Sequence, residues 1–129
     1  MKFQPDRSSA PTITGFGPGW FSVDADRYTS SLVLSSSGNR EVWNCQRFED
    51  LTPEHFALLA RFDAEVVLFG SGLRNRFVPP AWLRPLIERR IGLETMDTAA
   101  AFRTYNILAG EGRTVVAALL LESSPATAA

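Results

Sequence analysis

Two uninterrupted apolar runs constrain this chain more than any other feature. One is Val66 to Phe69, entered from Glu65, and the other is Val115 to Leu121, the longest in the sequence at seven residues. Seven residues are far short of the roughly 20 that a helix needs to cross a bilayer. A half-exposed strand would alternate polar and apolar positions, so β-branched and aliphatic runs without alternation read as strands buried on both faces. Such strands need covering layers above and below, which points to an α/β architecture with helices on a mostly parallel sheet. A chain of 129 residues provides one core of this kind.

The first third has a different texture. Ile13 and Phe16 precede the Gly17-Pro18-Gly19 turn, and Trp20 to Val23 alternate after it, which predicts a hairpin. Residues 28 to 35 alternate again, and Gly38-Asn39 turns the chain into 41 to 45. This portion is expected to be antiparallel. From Leu51 the period changes. Thr52 is a helix cap with Pro53 at the first helical position, and the apolar spacing predicts a helix to about Phe62. Pro79-Pro80 opens a second helical stretch to Arg90, in which Pro85 removes an amide and splits or kinks the helix. A short strand at 93–95, an Ala-rich helix at 97–108 and the final apolar strand complete the order β-α-β-α-β. The expected organisation is therefore a flexible N-terminus at 1–11, a single compact domain at 12–121 and a flexible tail at 122–129.

Several function classes are unfavourable. Thirteen basic residues against 14 acidic ones leave a net charge of -1, without the basic field of a nucleic-acid binder. Cys45 and His55 are each the sole residue of their type, so neither a disulfide nor a paired-Cys or paired-His metal site is expected. We expect no metal and no cofactor. The opening residues lack the apolar core of an export signal, and a reducing cytoplasmic location is expected. Cys45 has no basic neighbour other than Arg47 and reads as an inert buried thiol, while His55 lacks a nucleophile to activate.

Three groups of residues remain as candidates. Gly70, Ser71 and Gly72 follow a buried strand, where open α/β sheets bind ligands, and Met96 and Thr98 stand at the start of the Ala-rich helix. These five could form a polar or anion site, although the glycine pattern matches neither a dinucleotide fingerprint nor a phosphate loop. Arg74, Arg76, Arg84, Arg89 and Arg90 face only Glu88 between positions 74 and 90, a local charge of plus four. They read either as a solvated face or as a contact surface for an acidic partner. Glu111 and Arg113 flank Gly112 and suit a structural turn or ion pair. The Ala-rich helix is long enough to keep that turn and Thr98 at opposite ends.

Taken together, Gly70-Ser71-Gly72, the stretch Gly92 to Thr98, Thr104 to Leu108, Glu111-Gly112-Arg113 and the N-terminal stretch Ile13 to Trp20 resemble one family of unknown-function domains. That family includes small bacterial and archaeal proteins, an animal protein associated with adipogenesis and the third assembly factor of mitochondrial NADH:ubiquinone oxidoreductase. The resemblance covers about residues 12 to 121. It implies a compact α/β domain and, through the mitochondrial member, assembly of a membrane complex by protein contacts. It implies no established catalytic activity. The expected function is a non-enzymatic protein-interaction or assembly module with protein partners. The alternative is a small-anion binder or an enzyme using the Gly70 to Gly72 turn and the Thr95 to Thr98 helix start.

Overall fold

The computed structural model describes residues 10–122. The expected flexible ends fall outside the described residues except for Ala10, Pro11 and Glu122. Pro11 is buried and its carbonyl accepts from the Tyr105 hydroxyl at 2.8 Å, while the Glu122 carboxylate pairs with Arg76. Both ends of the described chain are thus tied to the core.

Among the described residues, eight strands form two sheets. β1 (Ile13–Gly17), β2 (Trp20–Val23) and β3 (Asp26–Tyr28) make an antiparallel three-stranded sheet. β4 (Leu32–Ser35), β5 (Arg40–Val42), β6 (Val66–Gly70), β7 (Gly92–Met96) and β8 (Val115–Leu119) make a five-stranded sheet in the order β5-β4-β8-β6-β7. The two apolar runs lie side by side as expected. β6 is parallel to β8 with Val67 opposite Val116, and parallel to β7 with Val67 opposite Leu93. β4 joins β8 antiparallel, so the N-terminal hairpin β4-β5 extends the parallel layer into a mixed sheet.

Each face of this sheet buries its own cluster. One side gathers Trp43, Phe56, Leu59, Val67, Phe69, Leu86 and Leu120. The other gathers Phe21, Val23, Leu32, Leu68, Ala101, Tyr105 and Leu119. Because neighbouring strand residues point to opposite faces, Val67 and Phe69 serve one core and Leu68 the other. That is why the run has no polar position.

The helix expected at 52–62 is shorter and changes pitch. α1 (Pro53–Ala57) passes into a 3-10 turn at Leu58–Arg61. At three residues per turn, Phe56, Leu59 and Phe62 align, and all three are buried. Thr52 caps α1 with His55 at the third position, the Thr52 amide donating to His55 Nδ1 at 3.0 Å. Pro85 does split the next stretch, into a 3-10 turn at Pro80–Leu83 and α2 (Arg84–Glu88). It sits in the first turn of α2, where the missing amide has no helical partner to lose. α3 (Thr98–Gly110) is capped by Asp97, whose Oδ1 accepts from the Ala100 amide at 2.8 Å. Midway along α3, Asn106 accepts from the Ile13 amide at 2.9 Å and donates to the Ile13 carbonyl at 2.8 Å. Its carboxamide thereby replaces a strand neighbour for β1 and fastens the small sheet to the helix.

Candidate functional site

β6 ends against the start of α3, and the contact is made possible by Gly70. A Cβ there would stand 2.9 Å from the Thr98 Cα and 3.2 Å from the Ala101 Cβ, closer than backbone tolerates. The Thr98 hydroxyl then joins three strand ends. It accepts from the Gly72 amide at 2.9 Å and donates to the Leu120 carbonyl at 2.7 Å. The Thr98 amide returns a bond to the Gly72 carbonyl at 2.9 Å, and the Leu120 amide donates to the Gly70 carbonyl at 3.0 Å. Thr98 is 3% exposed, so each of these bonds is made away from water.

Ser71 and Gly72 shape the loop that follows. The Ser71 amide donates to the Met96 carbonyl at 2.9 Å, and its hydroxyl accepts from the Arg76 amide at 2.8 Å while facing the Arg74 carbonyl at 2.9 Å. Gly72 has φ +107, a backbone geometry that a side chain would strain. Beside it lies the carboxylate of Glu122. This group accepts from the Phe48 amide at 3.0 Å and the Leu73 amide at 3.4 Å and pairs with Arg76, whose guanidinium also donates to the Ser71 carbonyl at 2.7 Å and stacks 4.5 Å over the Phe48 ring. The amide and guanidinium donors beside the turn therefore hold an anion that belongs to the chain itself. Gly70, Ser71, Gly72, Met96 and Thr98 do converge, and their polar groups are spent on one another and on Arg74, Arg76 and Leu120.

The arginines divide. Arg76 is drawn into the pair with Glu122, and Arg89 donates to the Ala60 carbonyl. Arg74, Arg84 and Arg90 are exposed and make no ion pair among the described residues. In the same segment Leu73, Phe77 and Ile87 expose 58%, 72% and 65% of their surface. Phe77, Arg74, Phe48, Val78 and Trp82 line a groove of about 480 Å³. Arginine mixed with large apolar side chains is the composition that carries protein interfaces. The charge count found the arginines, but the exposed Phe77 and Leu73 were legible only once the loop was seen to leave the core.

Glu111 and Arg113 sit at the far end of α3. Glu111 closes the helix through its amide, and Arg113 pairs with Glu65, not Glu111, at 2.9 Å and 3.0 Å. The Arg113 guanidinium, followed by the Thr114 amide and hydroxyl, holds the Glu65 carboxyl below the usual range. Cys45 and His55 are not bonded to each other. The Cys45 thiol faces the Arg47 carbonyl at 3.0 Å, and burial pushes its pKa up, away from a reactive thiolate. The His55 ring bridges Thr52 and the Asn44 carbonyl at 2.8 Å. Burial also pushes the Tyr105 phenol above its ordinary range. Among the described residues, no group of three or more His, Cys, Asp or Glu could hold a metal ion, and no helix is long and apolar enough to cross a membrane.

Comparison with known proteins adds three findings. The profile of a family described as protein of unknown function (DUF498/DUF598) matches residues 13–120. The chain is 38% identical over 119 residues to NADH dehydrogenase [ubiquinone] 1 alpha subcomplex assembly factor 3 of Bos taurus, covering 91% of this chain and 64% of that protein. It thus spans less than two thirds of the bovine relative. Among solved structures, a Bordetella parapertussis protein superposes with a TM-score of 0.81 at 38% identity, covering 88% of this chain and 97% of the other. A Bordetella pertussis protein described as a Mth938-like domain gives 0.78 at 30% identity, covering 100% and 96%.

Proposed function

The chain belongs to the DUF498/DUF598 family, and on that premise we propose that it is a non-enzymatic assembly or accessory module acting through protein contacts. The name of the bovine relative supplies the class of client, a respiratory NADH dehydrogenase under construction. One observation carries the reading: the segment 73–90 leaves Leu73, Phe77 and Ile87 in water beside the exposed Arg74, Arg84 and Arg90. Solvent-exposed aromatic and aliphatic surface next to arginine favours a protein partner with acidic and apolar groups. The lone cysteine suits a cytoplasmic location. An enzyme would need a nucleophile or base free to act, whereas Ser71, Thr98 and His55 are each committed to internal bonds. A small-anion site at Gly72 would require Glu122 to leave it.

The test is genetic and biochemical. Removing the gene from its native cell lowers the amount of assembled NADH dehydrogenase resolved by native electrophoresis. The unaltered chain restores it, and a chain carrying Arg74→Glu and Phe77→Ser does not. An unchanged level of the complex in the deletion strain ends the assembly reading.

A further inference from the structure

The five-stranded sheet has two edges, and they are finished differently. β5 is only three residues long and is crossed by charge: Arg40 pairs with Asp24 and Asp26 of the small sheet, and Glu41 pairs with Arg61. Short, charged edges of this kind resist pairing with other chains. β7 is five residues long, and its side chains enter no ion pair among the described residues.

The hydrogen-bond pattern shows which groups β7 leaves open. The Gly92 amide donates to the Glu65 carbonyl at 3.1 Å, and the Met96 carbonyl accepts from the Ser71 amide at 2.9 Å. In a parallel ladder alternate residues turn both backbone groups to the same neighbour, so Gly92, Glu94 and Met96 face β6. Leu93 and Thr95 therefore turn their amides and carbonyls outward, and none of the four bonds to another described residue. Two donor-acceptor couples on alternate residues are what an added strand needs.

A second copy is a poor occupant. The antiparallel register that engages Leu93 and Thr95 on both copies has its two-fold axis at Glu94, and sets the two carboxylates against each other. A register centred on Leu93 would need the Ile91 amide, which is already bonded to the Leu86 carbonyl at 2.9 Å. A register centred on Thr95 would need Asp97, whose carbonyl accepts from the Ala101 amide at 2.9 Å. We infer that the open edge of β7 receives an extended segment of a partner protein that pairs with Leu93 and Thr95 and carries a basic side chain opposite Glu94. This surface is distinct from the exposed 73–90 segment and stands whether or not that segment serves an assembly role.

The experiment uses the full chain labelled with 15N and two synthetic nine-residue strand peptides of alternating Thr and Val, one with Lys and one with Glu at the centre. The Lys-centred peptide shifts the Leu93 and Thr95 amide signals and slows their hydrogen exchange, and it binds about five-fold more tightly than the Glu-centred one. Glu94→Lys, a change at an exposed side chain, reverses that preference. Thr95→Pro, at a position whose amide faces outward and is therefore compatible with an edge strand, abolishes binding of both peptides. Four results overturn the inference: protection of the Leu93 and Thr95 amides in the free protein, a dimer in sedimentation that Glu94→Lys leaves unchanged, no shift with either peptide, or equal affinity for both. Loss of NADH dehydrogenase assembly in the variant carrying Arg74→Glu and Phe77→Ser bears only on the exposed segment, so the two readings fail separately.

Discussion

The two ends of β6 are each stitched to their neighbours by side-chain hydrogen bonds, in opposite surroundings. At the C-terminal end Thr98 and Glu122 bind backbone groups of the 70–73 loop and of the β8 exit, at 3% exposure for Thr98 and 12% for the Glu122 side chain. At the N-terminal end Glu65 holds Arg113 and Thr114, and the Glu65 and Arg113 side chains are about half in water, at 51% and 46%. Similar bonds should differ in worth, because an unpaired polar group is costly only where water cannot replace its partner. The buried end is expected to carry stability and the exposed end to trim it.

Four measurements break or sharpen that contrast, and urea denaturation reads the first three. Gly70→Val forces a side chain onto the Thr98 backbone and the Ala101 methyl, and should cost about 3 kcal/mol by overpacking. A loss under about 1 kcal/mol would mean α3 is free to slide, contrary to the packing described. Thr98→Val keeps the shape but strands the Gly72 amide and the Leu120 carbonyl, for about 2 kcal/mol. A neutral result would show that water reaches this end and would erase the comparison.

Glu122→Gln keeps the size but turns one of the two accepting oxygens into an NH2 donor and removes the charge that pairs with Arg76, for about 1 kcal/mol. Its larger signature is local: faster hydrogen exchange at the Phe48 and Leu73 amides, with exchange in β8 unchanged. The smallest effect belongs to the exposed end. Since the folded-state pKa of Glu65 is lowered by Arg113, its contribution is present above the ordinary carboxylate range and fades as pH falls through the lowered value. Arg113→Ala should leave neutral-pH stability almost unchanged and bring the Glu65 titration, followed by NMR, back toward its usual value. A larger stability loss would put this end on a par with the buried one.

What the sequence determined by itself is local. Uninterrupted apolar runs require two-sided burial, so Val66 to Phe69 and Val115 to Leu121 could be placed at the centre of the sheet before any coordinates. Caps and breakers act within one turn, so Thr52 marked a helix start and Pro85 a break in the next helical stretch, and the structure retains both. The parallel-strand topology also set Gly70 to Gly72 beside Thr98 and sent Arg113 to the other end of α3.

Tertiary structure decided which of those polar groups stay free. Glu122 reads in sequence as the start of a polar tail, yet it fills the donors beside Gly72 because the exit of β8 passes the loop after β6. Arg76 is one of five arginines between positions 74 and 90, and only its place opposite Glu122, 46 residues away, removes it from the surface. The same closure leaves β7 at an edge, where its charged Glu94 stays exposed. Propensity and capping energies act over a few residues, whereas partner choice depends on contacts between segments that meet only when the sheet has formed.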